Sequence, residues 1–163
     1  MTARSAHHTE FTIEREFAVA PRKVFRAWAD PQAKHAWTLC EPGMTMVDHR
    51  MDFRPGGEEF ILTRGPDGTL HRFLGRYYDI VENERIVYAF SIDVDEVRFS
   101  VSLATVEFHA HGSGSGSGSG SRMVFTEQLA FLDGMQQREE RIEGTQAGFD
   151  HLALYLHESP QRQ

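Results

Sequence analysis

The stretch HGSGSGSGSGSR, from His111 to Arg122, decides how this chain is read. Its ten inner residues, Gly112 to Ser121, alternate glycine and serine without a break. Such composition marks a flexible connection. Either the chain divides here into two units, or it returns through a long turn inside one. The 42 residues beyond Ser121 carry one strand pattern and one helix pattern, too little apolar material to fold alone. The strand after the run therefore needs a partner before it, and Val97 to Ala110 is the nearest. The run at 112–121 is read as an enlarged hairpin loop inside a single domain over residues 1–163. Closure entropy grows only with the logarithm of loop length, so the extra residues cost about 1 kcal/mol.

On the far side of the run, Met123, Phe125, Leu129 and Phe131 alternate on one face, with Glu127 on the same parity. Leu132-Asp133-Gly134 turns the chain. Met135 to His157 is predicted as one long helix, with Ile142, Thr145, Phe149, Leu152, Ala153 and Leu156 on a single stripe. Its charged segment, Arg138 to Glu143, reads as a solvated helix face with pairs three or four apart.

On the near side, Val97 to Ala110 changes parity. Val97, Phe99, Val101 and Leu103 are odd, whereas Ala104, Val106 and Phe108 are even. A switch of this kind predicts a bulge. Further back, the predicted strands are Met44 to Phe53, Glu58 to Arg64, Thr69 to Val81 and Arg85 to Ile92. They are separated by turn signals at Arg54-Pro55-Gly56-Gly57, Gly65-Pro66-Asp67-Gly68 and Glu82-Asn83-Glu84. The stretch Leu39 to Gly43 is read as a loop. Phe11 to Val19 alternates as a strand, except that Arg15 falls on the apolar parity. Pro21 suits a first helical position for a helix through Ala29, and Asp30-Pro31 opens a second through Trp37.

The 163 residues fit one domain. Hydrophobic residues make up 40% and there are twelve phenylalanines, enough for a thick core or an apolar pocket. The net charge of -7 and the lack of any basic run argue against nucleic acid as a partner. No stretch approaches the ~20 apolar residues of a membrane span, and Met1 to Glu10 carries no apolar signal core. The single cysteine, Cys40, allows no internal disulfide, so a reducing, cytoplasmic setting is expected. The histidines form no metal signature: His7-His8 lies in a loose terminus, and His109 and His111 share a strand face with no third ligand. No metal or cofactor is expected. Asp52 to Gly57 lacks the lysine and following helix of a phosphate loop.

The order is strand, two short helices, six strands, long helix. The last helix would run ~35 Å and a ten-residue strand ~33 Å, so one helix can lie along a whole sheet. Five pieces in order carry a family resemblance: FAVAPRKVFRAWADP (17–31), MDFRPGGEEF (51–60), RGPDGTLHRFLGRYYDIVENERIVYAF (64–90), RMVFTEQLAFLDG (122–134) and EGTQAGFDHLALYL (143–156). The chain resembles the START-like (SRPBCC) superfamily, in the bacterial branch similar to activators of the heat-shock protein 90 ATPase. The resemblance implies an α+β helix-grip fold: a curved antiparallel sheet of about seven strands around a long C-terminal helix, with two short helices after the first strand. The long Gly-Ser loop is a departure, since relatives usually turn tightly there.

The resemblance also implies a sheet–helix cavity for a hydrophobic or amphipathic small molecule. It does not imply one reaction, because the superfamily includes lipid carriers, hormone receptors, polyketide cyclases and cochaperone domains. The candidate cavity residues are Arg15, Trp37, Phe60, Phe73, Tyr88, Phe90, Phe99, Phe125, Glu127 and Phe149. Arg15 and Glu127 are charges on apolar strand faces, so each needs a partner. In this fold the first and last strands are neighbours, which lets them pair with each other. Three functional readings stay open: a small-molecule binder, a cyclase or aromatase-like enzyme using Glu127, His151 or Tyr78, and a cochaperone-like domain acting on a heat-shock ATPase. The outer sheet face allows a homodimer.

Overall fold

The computed structural model describes residues 4–38, 43–112 and 120–158. The expected loop around Cys40 and most of the Gly-Ser run lie outside them. The elements are β1 (Ala6–Phe17), α1 (Pro21–Ala29), α2 (Pro31–Thr38), β2 (Thr45–Met51), β3 (Glu58–Arg64), β4 (Leu70–Val81), β5 (Arg85–Val94), β6 (Val97–His111), β7 (Gly120–Leu132) and α3 (Arg138–Glu158). The seven strands form one antiparallel sheet in the order β1-β7-β6-β5-β4-β3-β2. Strands β2 to β7 follow one another as a meander. The excursion through α1 and α2 carries the chain from one sheet edge to the other.

The strands flanking the Gly-Ser run do pair, with His111 opposite Gly120 and Ala110 opposite Ser121. β1 starts earlier than its alternation suggested: His7 and His8 face Phe131 and Ala130 across the β1–β7 ladder, and are not in a loose terminus. Pro21 begins α1, whose Val24, Phe25, Ala27 and Trp28 are buried. The missing proline N–H costs nothing at a first helical position. The Asp30 carboxylate then accepts the Ala33 N–H at 2.9 Å, capping α2. Glycine is obligatory at Gly57, where a Cβ would sit 2.0 Å from the Asp52 carbonyl oxygen.

β6 does carry a bulge, but not at the parity switch, where Leu103 and Ala104 pair in unbroken register with Ala89 and Tyr88. Ile92 faces Ser100 but Asp93 faces Arg98, leaving Phe99 as the extra residue. From Ser100 onward the even residues are buried, so Ser100, Ser102, Ala104, Val106 and Phe108 point inward. Val97, Val101 and Leu103 are therefore exposed on the outer face. A second bulge leaves Tyr78 unpaired between Tyr77 and Asp79, and its side chain is 60% exposed.

α3 supplies Phe149, Leu152 and Leu156 to the core. Its backbone packs on β1, α1 and α2. The arrangement is the helix-grip α+β fold, and the space it leaves lies between α3 and the strands β3 to β5.

Candidate functional site

That space is a cavity of ≈ 580 Å³. Alternation in the strands aims every second residue into it: Ile61 and Thr63 from β3, His71 and Phe73 from β4, Tyr88, Phe90 and Ile92 from β5, and Phe125 and Glu127 from β7. Helices α1 and α2 add Trp28, Lys34, Trp37 and Thr38. From α3 come Arg141, Gly144, Thr145, Ala147, Gly148, Phe149 and His151. Met44 completes the wall.

The rings form two groups. Phe73 and Phe90 stack at 4.8 Å, and Tyr88 continues the stack at 5.6 Å. The second group adjoins the first where Trp28 lies 6.4 Å from Tyr88: Trp28 and Trp37 meet edge to face at 5.0 Å, and Phe125 and Phe149 at 5.3 Å. Offset and edge contacts of this kind hold aromatic walls in defined orientations. Trp37 is fixed further by its indole N–H, which donates to the Ala27 carbonyl at 2.9 Å.

Of the candidates from the sequence, Trp37, Phe73, Tyr88, Phe90, Phe125, Glu127 and Phe149 lie on the cavity wall. Three others lie elsewhere. Phe60 sits beneath the Arg50 guanidinium, 4.7 Å from its centre, on the opposite parity from Glu59 and Thr63, which are buried. Phe99 is the bulge residue and packs edge-on against Phe131. Arg15 donates to Gln146 Oε1 at 3.0 Å and to Asp150 Oδ1 at 2.7 Å, tying β1 to α3.

The expected Arg15–Glu127 pair does not form. In the β1–β7 register Arg15 faces Met123 and Glu127 faces Phe11, an offset of about 13 Å along the strand. Glu127 instead pairs with Arg141 of α3 and accepts the Ser102 hydroxyl at 2.7 Å. Arg141 also donates to Ser100 and covers the Phe131 ring at 5.3 Å. The expected solvated face of α3 thus contributes one guanidinium to the interior. Of the acid–base candidates, His151 and Glu127 are on the wall, and Tyr78 points to solvent.

A second polar cluster stands behind the tryptophans. Lys34 is 7% exposed and Glu59 is 2% exposed. Lys34 Nζ donates to both Glu59 oxygens, at 2.8 and 3.0 Å. The Tyr77 hydroxyl donates to Glu59 Oε1 at 2.8 Å, and His49 Nε2 lies 2.8 Å from Oε2. His49 Nδ1 in turn meets Nδ1 of the exposed His35 at 3.2 Å. Burial raises the Glu59 pKa, but the Lys34 charge and the bonds from His49, Lys34 and Tyr77 outweigh it and hold the carboxyl at about 2. Glu59 is therefore a carboxylate at neutral pH, in direct contact with Lys34. Burial, then the charge of Glu59, pushes Tyr77 far up. Burial, then the charges of Glu127 and Glu59, does the same to Tyr88, so its phenol stays protonated. Lys34 Nζ also lies 5.3 Å from the Trp28 ring centre and 5.7 Å from that of Trp37.

Ser100, Ser102, Arg141, Lys34 and Glu59 were not singled out by the sequence. A signal existed for Glu59, which shares strand parity with Ile61 and Thr63 as Glu127 does with Phe125. Phe60 and Leu62 on the other parity hid it, because both faces of β3 look apolar. Among the described residues, no group of three His, Cys, Asp or Glu side chains could hold a metal ion, and no helix is long and apolar enough to cross a membrane.

Comparison with solved structures gives many relatives of this fold. An uncharacterised protein from Rhizobium leguminosarum is 42% identical, covering 97% of this chain and 100% of its own, with a TM-score of 0.89. A protein from Rhizobium loti is 34% identical over 93% of this chain and 99% of its own, with a TM-score of 0.81. A protein of unknown function from Staphylococcus aureus is 19% identical and shares the fold, with a TM-score of 0.75 over 96% of this chain and 98% of its own. No curated protein matches. The family model described as "Activator of Hsp90 ATPase homolog 1-like protein" matches residues 18–157. With that match spanning nearly all the described elements, the chain belongs to the family of activator of Hsp90 ATPase homolog 1-like proteins, a START-type family.

Proposed function

We propose that this protein binds a small hydrophobic or amphipathic molecule in the cavity between its sheet and α3. The observation that carries the reading is the cavity face of α3. Gly144 and Gly148 both line the space, one turn apart, and a Cβ on either would meet nothing within 4 Å. Glycine inside a helix costs about 1 kcal/mol relative to alanine. Two such residues on the face that borders the cavity keep its volume open at the expense of helix stability. A volume of ≈ 580 Å³, mostly apolar with a few convergent polar groups, matches the ordinary anatomy of small-molecule sites.

The test is titration with N-phenyl-1-naphthylamine, whose fluorescence rises in apolar surroundings. Saturable binding at one site is expected, and Gly148→Phe should abolish it while leaving the circular dichroism spectrum unchanged. Binding that does not saturate, or that Gly148→Phe leaves intact, would sink the reading. Where binding saturates and Gly148→Phe abolishes it, native mass spectrometry of protein from its own host identifies the ligand.

A cyclase or aromatase-like activity draws support from one observation, the position of His151 on the wall. Glu127 fits a base poorly, because Arg141 and Ser102 already occupy it. Loss of turnover in His151→Gln with unchanged ligand affinity would favour that activity. A cochaperone role, suggested by the family's description, would act through the surface and leave the open cavity without a purpose. The lone cysteine suits a reducing, cytoplasmic setting. A homodimer would form through the outer sheet face, where Val101 and Leu103 are exposed; a monomer in sedimentation at micromolar concentration ends that part of the proposal.

A further inference from the structure

We infer that Lys34 and Tyr88 form a subsite for an acceptor oxygen, a carboxylate or carbonyl, on a ligand whose flat apolar body lies among the wall aromatics. The inference rests on the cavity-binding reading and adds the ligand's chemical class.

Lys34 carries three N–H donors. Among the described residues its hydrogen bonds go to Glu59 alone, through the two contacts already described. One donor is left over on a side chain that is 8% exposed. It belongs to a residue of the cavity wall, and its Nζ lies near the rings of Trp28 and Trp37, which line the same cavity. A buried ammonium with an unused donor has lost hydration without full replacement. An acceptor oxygen entering the cavity would restore it.

Tyr88 supplies the second donor. Its ring is 6.4 Å from that of Trp28, the ring that Lys34 Nζ also faces. Among the described residues its hydroxyl makes no hydrogen bond, and its proton is retained, so it is free to donate to a ligand oxygen in the same cavity. The balance of charge agrees. Glu127, the carboxylate of the wall, is neutralised by Arg141, and Glu59 stands behind Lys34. A ligand cation would meet no free anion there, whereas an oxygen acceptor meets two donors. The ring faces of the stacked Phe73, Phe90 and Tyr88 and of the adjoining Trp28 and Trp37 suit a planar body.

The test is displacement of bound N-phenyl-1-naphthylamine by three naphthalenes of equal bulk: 2-naphthoic acid, methyl 2-naphthoate and 2-naphthylmethylamine. The acid and ester should displace the probe at least ten times more effectively than the amine. Tyr88→Phe should weaken the acid about 3- to 10-fold, the effect of one hydrogen bond. Removing Lys34 alone would strand Glu59, so the informative variant is the double change Lys34→Met with Glu59→Gln, which leaves no buried charge unpaired. It should lose the preference for acid over amine, read as the ratio of the two displacement constants measured on the same variant. An acid stronger than the ester assigns a carboxylate; an equal pair assigns a carbonyl. If the amine competes as well as the acid, or the double variant keeps the preference, the subsite is wrong and the cavity reading stands. If the probe itself does not bind the native protein, the cavity reading fails and takes the subsite with it.

Discussion

β7 and the neighbouring ends of β3, β4 and β5 obey the same alternation and do different things with it. In β7 every second residue from Ser121 to Phe131 is buried, charge included. In the other region the inward residues Ile61, His71, Phe73 and Ile92 are only half buried. The difference lies above the sheet, not within it. α1 covers β6 and β7 with Phe25 and Trp28, and Phe125 packs on Phe149 of α3. Over β3 to β5 the facing part of α3 offers Gly144, Thr145, Ala147 and Gly148, which fill little. A sheet face becomes core or cavity according to the size of the residues opposite it.

Stability measurements would break this comparison most sharply. Phe131→Ala, on the filled side, should lose about 4 kcal/mol by urea unfolding, since a cavity is created in packed surroundings. Phe73→Ala should lose about 1 kcal/mol, because one side of its ring already faces open space. Equal losses would mean that the two regions are packed alike.

Next in size is Glu59→Gln, expected to cost about 3 kcal/mol by leaving Lys34 buried without its counter-charge. The same variant sharpens the pH response. The Glu59 carboxyl is lowered from 4.5 to about 2 on folding. Its contribution is thus fully present above about pH 4.5 and is lost as pH falls towards 2. The native protein should lose stability through that window, and Glu59→Gln should show a flatter decline. Parallel curves would reject the ionised pair.

The smallest effect has the opposite sign. Gly148→Ala should stabilise the protein by about 0.5–1 kcal/mol, as helix propensity improves with nothing in the way. Destabilisation would show that the space is not open.

Much of this was legible beforehand, for a specific reason. Period-two alternation in β1 and β7, proline and aspartate at the helix starts, and glycine turns are all local signals, and they found every strand, though β1 begins at Ala6 and not at Phe11. The bulge in β6 was expected from a parity switch at Leu103–Ala104 and sits earlier, at Phe99. What local pattern does not carry is which face turns inward. In β6 the apolar Val101 and Leu103 suggested the interior, yet the outer face took them and Ser100 and Ser102 went in. The reason is Arg141, whose guanidinium needs those hydroxyls and comes from a helix about 40 residues later. Arg15 and Glu127 were correctly singled out as needing partners. The partners were missed because they lie on α3, where Gln146, Asp150 and Arg141 look like ordinary surface residues. Lys34 was hidden in the same way, and the parity signal of Glu59 was masked by Phe60 and Leu62 on the other face of β3.

The pairing of β1 with β7 also has a consequence for how the protein is made. Ala6 finds its partner at Leu132, and Phe17 finds its own at Ser121. On a ribosome adding about 5–20 residues per second, the first strand waits on the order of ten seconds for its neighbour to be translated. Throughout that interval its backbone edge and the apolar side of α1 are open to other nascent chains. Pairing of such distant segments also makes for slow folding. A message truncated just before the Gly-Ser run would leave this state permanent, and its product should precipitate or be degraded where the full chain accumulates.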